Sequence, residues 1–147
     1  MDKIKVTYGK VNKQNLRLLI TLSKTTQNIH KRSADIFIKH KLTTSQFSAL
    51  ESLYHKGSMS INKLTESALS TSGNMTVVIN NLLKAGLVSR SVNPKDKRSS
   101  LIKITNQGRQ KVEDIFPIHL IDLSNSFKLL NSEEKQLLIR LLNKIEK

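Results

Sequence analysis

The chain has 147 residues, enough for one domain with a sizeable core. With 37% hydrophobic and only 4% aromatic residues, that core must be mostly Leu, Ile and Val; the absence of Cys excludes disulfides, thiolate metal sites and thiol-based sensing. A formal charge of +14 nominates a polyanionic partner, and no run of about 18 apolar residues spans a bilayer, so a cytoplasmic protein with no membrane partner is expected.

The charge is uneven. Residues 1–42 carry +8, residues 43–105 carry +5 and residues 106–147 only +1. A basic two-thirds beside a near-neutral remainder suits nucleic acid, although an anionic surface of another kind would answer the same pattern. Few Gly and Pro favour a helical chain with few turns.

From about Asn12 to Lys39 the sequence reads as one long helix, with Leu16, Leu19, Ile20, Ile29, Ile36 and Phe37 as apolar positions. In "LTTSQFSALESLYHKG", Thr43 and Gln46 have capping-box spacing, and Leu42 and Phe47 are placed as a hydrophobic staple. Phe47, Leu50, Leu53 and Tyr54 form that helix's stripe and Gly57 stops it. A short helix capped by Ser60 follows, turning Ile61, Leu64 and Ala68 inward.

"STSGNMTVVINNLLKAG" is a further helix, from a Ser/Thr cap at 70–72 to Gly86. Met75, Val78, Ile79 and Leu82 line one side. The other side carries Asn74, Thr76, Val77, Asn80, Asn81 and Lys84 and no acid. Next, "LVSRSVNPKDKRSSLIKITNQG" reads as two strands around a basic turn. Thr105 then caps a long helix bearing Val112, Ile115, Phe116, Leu120, Leu123 and Phe127, with Pro117 expected to kink it. A last helix opens at Asn131, where Glu134 again completes a capping box, and presents Leu137, Leu138, Leu141, Leu142 and Ile145. The terminal helices show more apolar surface than a monomer needs, which points to a second copy.

The expected fold is therefore mainly α: a winged helix-turn-helix with about six helices, one β-hairpin wing and long terminal dimerisation helices. A helix about 10–12 Å across fits the major groove, where base edges are distinguishable, and a basic wing reaches the adjacent minor groove. Small residues such as Ser72, Gly73, Asn74 and Thr76 would let the backbone come close to DNA, Asn74 would read adenine, and Ser70 and Thr71 join them as candidate contacts at the helix start.

"GLVSRSVNPKDKRSSLIKITNQG" resembles the signature of the MarR family of transcriptional regulators: Gly-Leu-Val-x-Arg, an Asp-x-Arg wing, then Leu-Thr-x-x-Gly. Gly86, Leu87, Val88, Arg90, Asp96, Arg98, Thr105 and Gly108 match, and Ile104 replaces the usual Leu. The resemblance implies a homodimer on a pseudo-palindromic double-stranded operator, with residues 1–41 and 109–147 as dimerisation helices and 42–108 as the winged-helix region. It assigns DNA contact to residues 70–85, Asn80 and Lys84 among them, and to a wing with Arg90, Lys95, Asp96, Lys97 and Arg98. Arg98 would enter the minor groove, with Asp96 braced by an Arg, Arg90 being the candidate.

"FSALESLYHKG" and "DIFPIH" are similar to segments of the quinone-responsive repressors of that family, which sense catechol or quinone compounds. In the family the ligand lies between dimerisation helices and DNA-binding region. Phe37, His40, Phe47, Tyr54, His55, Phe116 and His119 are the aromatic and imidazole groups nearest those junctions. The four histidines, His30 included, lack metal-site spacing, and no nucleophile or paired-carboxylate constellation is present, so neither metal, cofactor nor enzyme is expected. Two rival readings remain at the level of sequence: a sequence-tolerant DNA-coating protein, and a structural or interaction module whose basic face meets an acidic protein or membrane.

Overall fold

The computed structural model describes residues 8–68 and 72–146. The chain forms α1 (Gly9–Lys39), α2 (Thr44–Lys56), β1 (Met59–Ser60), α3 (Ile61–Ser67), α4 (Ser72–Lys84), β2 (Val88–Asn93), β3 (Asp96–Ile104), α5 (Asn106–Phe127) and α6 (Ser132–Ile145). Among the described residues no helix is long and apolar enough to cross a membrane.

The local signals act as expected. Thr43 Oγ1 accepts from Gln46 N while the Gln46 side chain accepts from Thr43 N, and Asn131 and Glu134 repeat this at α6. Ser60 caps α3 by accepting from Lys63 N. Gly57 and Gly86 follow α2 and α4 with φ of 87° and 72°, a region that disfavours side chains. The expected Ser/Thr cap of α4 begins at residues 70 and 71, which lie outside the described residues. Helix α5 runs through Pro117 without interruption.

The hairpin gains a strand the sequence does not announce. Met59 pairs with Ile102 and Ser60 with Leu101, so the sheet has order β1-β3-β2, all antiparallel. Two residues are too few to show a period-2 pattern, and pairing alone reveals them.

The core lies where α2, α3, α4 and the sheet meet the end of α1 and the start of α5. Phe47, Leu50, Leu53, Leu64, Met75, Ile79, Leu82, Ile102, Val112 and Ile115 are its largest fully buried side chains. Each such burial contributes roughly 1.5–3 kcal/mol, so this is the stable centre of the protomer. Phe37 and Ser33 are the buried residues of α1, and α6 has none. Leu137, Leu138, Leu141, Leu142 and Ile145 on α6 remain exposed, as do Leu16, Leu19 and Ile20 on α1.

Candidate nucleic-acid interface

Helices α3 and α4 form the helix-turn-helix. Met75, Val78, Ile79 and Leu82 are sunk in the core, which leaves Asn74, Thr76, Val77, Asn80, Asn81 and Lys84 exposed along one acid-free face. Asn74 Nδ2 reaches Ser45 Oγ at the start of α2, 3.5 Å away. Ser72 and Gly73 fall in the first turn of α4, whereas Ser70 and Thr71 lie outside the described residues.

The wing places Lys95, Asp96, Lys97 and Arg98 at its exposed tip. Asn93 Oδ1 accepts from Lys95 N at 3.0 Å, Asp96 Oδ1 accepts from Arg98 N at 3.0 Å, and Ser99 Oγ donates to the Asp96 carbonyl. Three side-chain–backbone bonds therefore shape a turn only a few residues long. This corrects the expected Asp96–Arg90 pairing. Arg90 lies opposite Ile102 while Asp96 lies opposite Asn93, so the register separates them and the carboxylate is spent on the backbone of Arg98. Among the described residues no ion pair involves either side chain.

Arg90 and Arg98 meet elsewhere. With Ser60, Asn62, Thr76 and Ser100 they line an open crevice of about 310 Å³ between the wing, the start of α3 and the exposed face of α4. The guanidinium and hydroxyl donors around this crevice suit a polyanion such as nucleic acid.

The expected ligand residues divide into separate groups. Phe37 and Phe47 stack at 4.2 Å, and His119 stands against them at 5.2 and 5.9 Å. These three line a pocket of about 180 Å³ between α1, α2 and α5, with Thr44, Ser48 and Glu51 of α2. Tyr54, His55 and Phe116 instead form a ring cluster further along α2, with centroids 5.1 and 5.2 Å apart. There Tyr54 Oη donates to Glu113 at 3.0 Å beneath Arg109, and that bond first, with burial and the Glu113 charge, raises the phenol above its usual pKa. His40 stands apart, its Nδ1 3.0 Å from the Ile36 carbonyl oxygen. The expected set thus places three residues in the pocket and four outside it.

Residues 42–100 match the MarR family model. The HTH-type transcriptional regulator MhqR of Bacillus subtilis (strain 168) is 30% identical over 135 residues, covering 92% of this chain and 93% of that protein. The chain belongs to the MarR family. It is a DNA-binding transcriptional regulator, and its relatives are regulators rather than enzymes. A mutant MarR from E.coli complexed with operator DNA superposes with a TM-score of 0.81 at 22% identity, over 93% of this chain and 99% of that one. BpsR of Bordetella bronchiseptica is 26% identical, with a TM-score of 0.70 over 86% of this chain and 99% of that one.

For this MarR-family chain, sequence reasoning missed Ser60 and Asn62 in the crevice, because they adjoin the wing only through β1, and Ser100, which lies on the wing strand β3 itself. It also missed Thr44, Ser48 and Glu51 in the pocket. Their signal was available: with Phe47 they sit at i, i+3, i+4 and i+7 of one helix face.

Proposed function

We propose that the chain acts in the cytoplasm as a homodimeric repressor on a pseudo-palindromic operator and is released by a small aromatic or quinone-like ligand. The observation that carries the DNA half is the acid-free face of α4 beside the crevice holding Arg90 and Arg98. In this reading Asn74, Thr76, Asn80 and Lys84 meet the major groove, with Ser70, Thr71, Ser72 and Gly73 at its phosphates. Arg98 enters the minor groove from a wing ordered by Asp96, while Arg90, Lys95 and Lys97 hold the backbone.

The switch is geometric. Two recognition helices must lie about 34–36 Å apart to enter successive major grooves, and the terminal helices, residues 1–41 and 109–147, set that spacing for the winged-helix region 42–108. The pocket of Phe37, Phe47 and His119 sits where these parts join, and BpsR, whose DNA binding is regulated by 6-hydroxynicotinic acid, supports an aromatic ligand. A ligand releases DNA only if it prefers the non-binding spacing.

Fluorescence anisotropy against duplex from upstream of the protein's own gene, beside a scrambled duplex at about 150 mM salt, tests the reading. Binding roughly 10³-fold tighter to the native duplex supports a repressor on an operator. Equal, weak binding to both would favour the rival suggested by the +14 charge, a protein that coats DNA regardless of sequence.

A further inference from the structure

The pocket between α1, α2 and α5 has a charge composition opposite to that of the chain. In a protein of +14, neither Lys nor Arg lines it. Its ionisable side chains are one carboxylate, Glu51, and two imidazoles, His30 and His119. Among the described residues the one ion pair within 4.0 Å joins Arg32 to Asp122, so no cation stands against Glu51. Arg32, beside the lining residue Ser33, also donates to Ser126.

A second observation marks the same space. His119 Nδ1 is buried and makes no hydrogen bond. A neutral imidazole with its proton on Nε2 offers Nδ1 as an acceptor, and an unmet buried acceptor is costly. The stacked faces of Phe37 and Phe47 border this atom's ring. A cavity of about 150 Å³ takes a benzene ring, so a pocket of about 180 Å³ has room for one ring with small substituents.

We infer that Glu51 sets the charge class of the ligand: the pocket takes an uncharged, hydroxylated single ring and rejects an aromatic carboxylate. This rests on the pocket being the effector site and adds which effectors it can hold. A ring hydroxyl donates to the Glu51 carboxylate, and a second donates to His119 Nδ1. A carboxylate on the same ring would bring a second negative charge beside the half-buried Glu51, with neither Lys nor Arg in the lining to offset it. An ammonium would have to cross the positive field of the whole chain and be desolvated against a single acid.

Calorimetric titration of the full chain with resorcinol, 3-hydroxybenzoate and 3-hydroxybenzylamine tests this, because the three phenols differ in one meta substituent, which is neutral, anionic or cationic, and the Glu51 variants separate its charge from its size. The expected result is resorcinol binding tighter than either charged ring by roughly tenfold or more. Glu51→Gln, which keeps the shape, should raise affinity for 3-hydroxybenzoate until the gap falls to about threefold. Glu51→Lys should invert the order. Thermal melts of both variants report whether they are folded. If the wild type binds all three rings alike, prefers a charged ring, or keeps its preference in folded Glu51→Gln, the assignment to Glu51 is overturned and the pocket still stands as a ring site. If no ring binds the wild type or either variant, the effector-pocket reading fails and this inference falls with it.

Discussion

Thr105 Oγ1 donates to the carbonyl of Gly86 at 2.7 Å, tying the start of α5 to the end of α4. The same hydroxyl accepts from Gly108 N at 3.1 Å as the cap of α5, and Thr105 N donates to the Leu87 carbonyl. One residue, through its hydroxyl and its backbone amide, thus ties the end of α4 and the start of the wing to α5. Thr105→Val keeps the shape and removes the hydroxyl, and should lower unfolding free energy by about 1–2 kcal/mol in urea titration. Thr105→Ser should retain most of it. Equal midpoints for Thr105→Val and wild type would show that the hydroxyl holds nothing.

Gly108 presents two opposed effects of one substitution. Alanine in a helix interior is favoured over glycine by about 1 kcal/mol. A Cβ at Gly108, however, would collide with the Leu87 carbonyl oxygen and lie 2.7 Å from Ile104 Cγ1. Backbone cannot yield as a flexible side chain can, and overpacking costs about 1–3 kcal/mol. The clash should win, so Gly108→Ala is expected to lower the melting temperature; an increase would mean that β2 and α5 separate easily.

What the sequence discloses here is what lies within one helical turn. Thr43 with Gln46, Asn131 with Glu134, Ser60, Thr105 and the stops at Gly57 and Gly86 are all local, and each forms as its spacing implies. Relationships between elements were less legible. The partner of Asp96 depended on strand register, which placed Arg90 opposite Ile102. Nearness in sequence groups the candidate ligand residues together, yet Phe47 and Tyr54 lie seven residues apart, about 10 Å along α2. That is enough for Phe47 to meet His119 and for Tyr54 to meet Glu113 instead. Glu51 shares the helix face of Thr44, Phe47 and Ser48, but a carboxylate beside rings carries by itself no ligand signal in sequence.

At the wing, Asp96 bonds the backbone amide of Arg98, whereas in the proposed complex the Arg98 side chain would contact DNA, so their removal should differ in kind. Arg98→Ala is expected to weaken operator binding by about 1–3 kcal/mol and to reduce the slope of affinity against salt. Asp96→Ala frees the Arg98 amide and loosens the turn, giving a smaller loss with little change in that slope. Both side chains are exposed, so the melting temperature should stay within about 2–4 °C of wild type. A larger loss for Asp96→Ala than for Arg98→Ala would refute this division of roles.

Tyr54 offers a pH-dependent readout of the α2–α5 contact. Its hydrogen bond to Glu113 raises the phenol's pKa, and Arg109 opposes the rise in part. In a Tyr8→Phe background, absorbance titration should show Tyr54 ionising above the usual value of about 10, and Glu113→Gln should bring it down. Because the folded value lies above the unfolded one, the contribution is complete below about pH 10 and is lost as pH rises through the folded value. Stability near neutral pH should therefore be insensitive to this group, and a titration unchanged by Glu113→Gln would rule out the hydrogen bond as the cause.

Helix α6 is amphipathic and capped, yet none of its residues is buried within the protomer. Leu138 and Leu141 belong to an apolar face left exposed in the protomer, as Leu16, Leu19 and Ile20 are on α1, and a second copy would cover such a face. Replacing both with Lys removes that cover's driving force, while the winged-helix core, which uses neither side chain, is left intact. Light scattering after gel filtration should then report a monomer, with the circular dichroism of the winged-helix region retained. Operator affinity should fall by more than about tenfold, since one protomer reads only half a palindrome. A variant that remains a dimer and still binds the operator would place the interface elsewhere and remove α6 from the spacing mechanism.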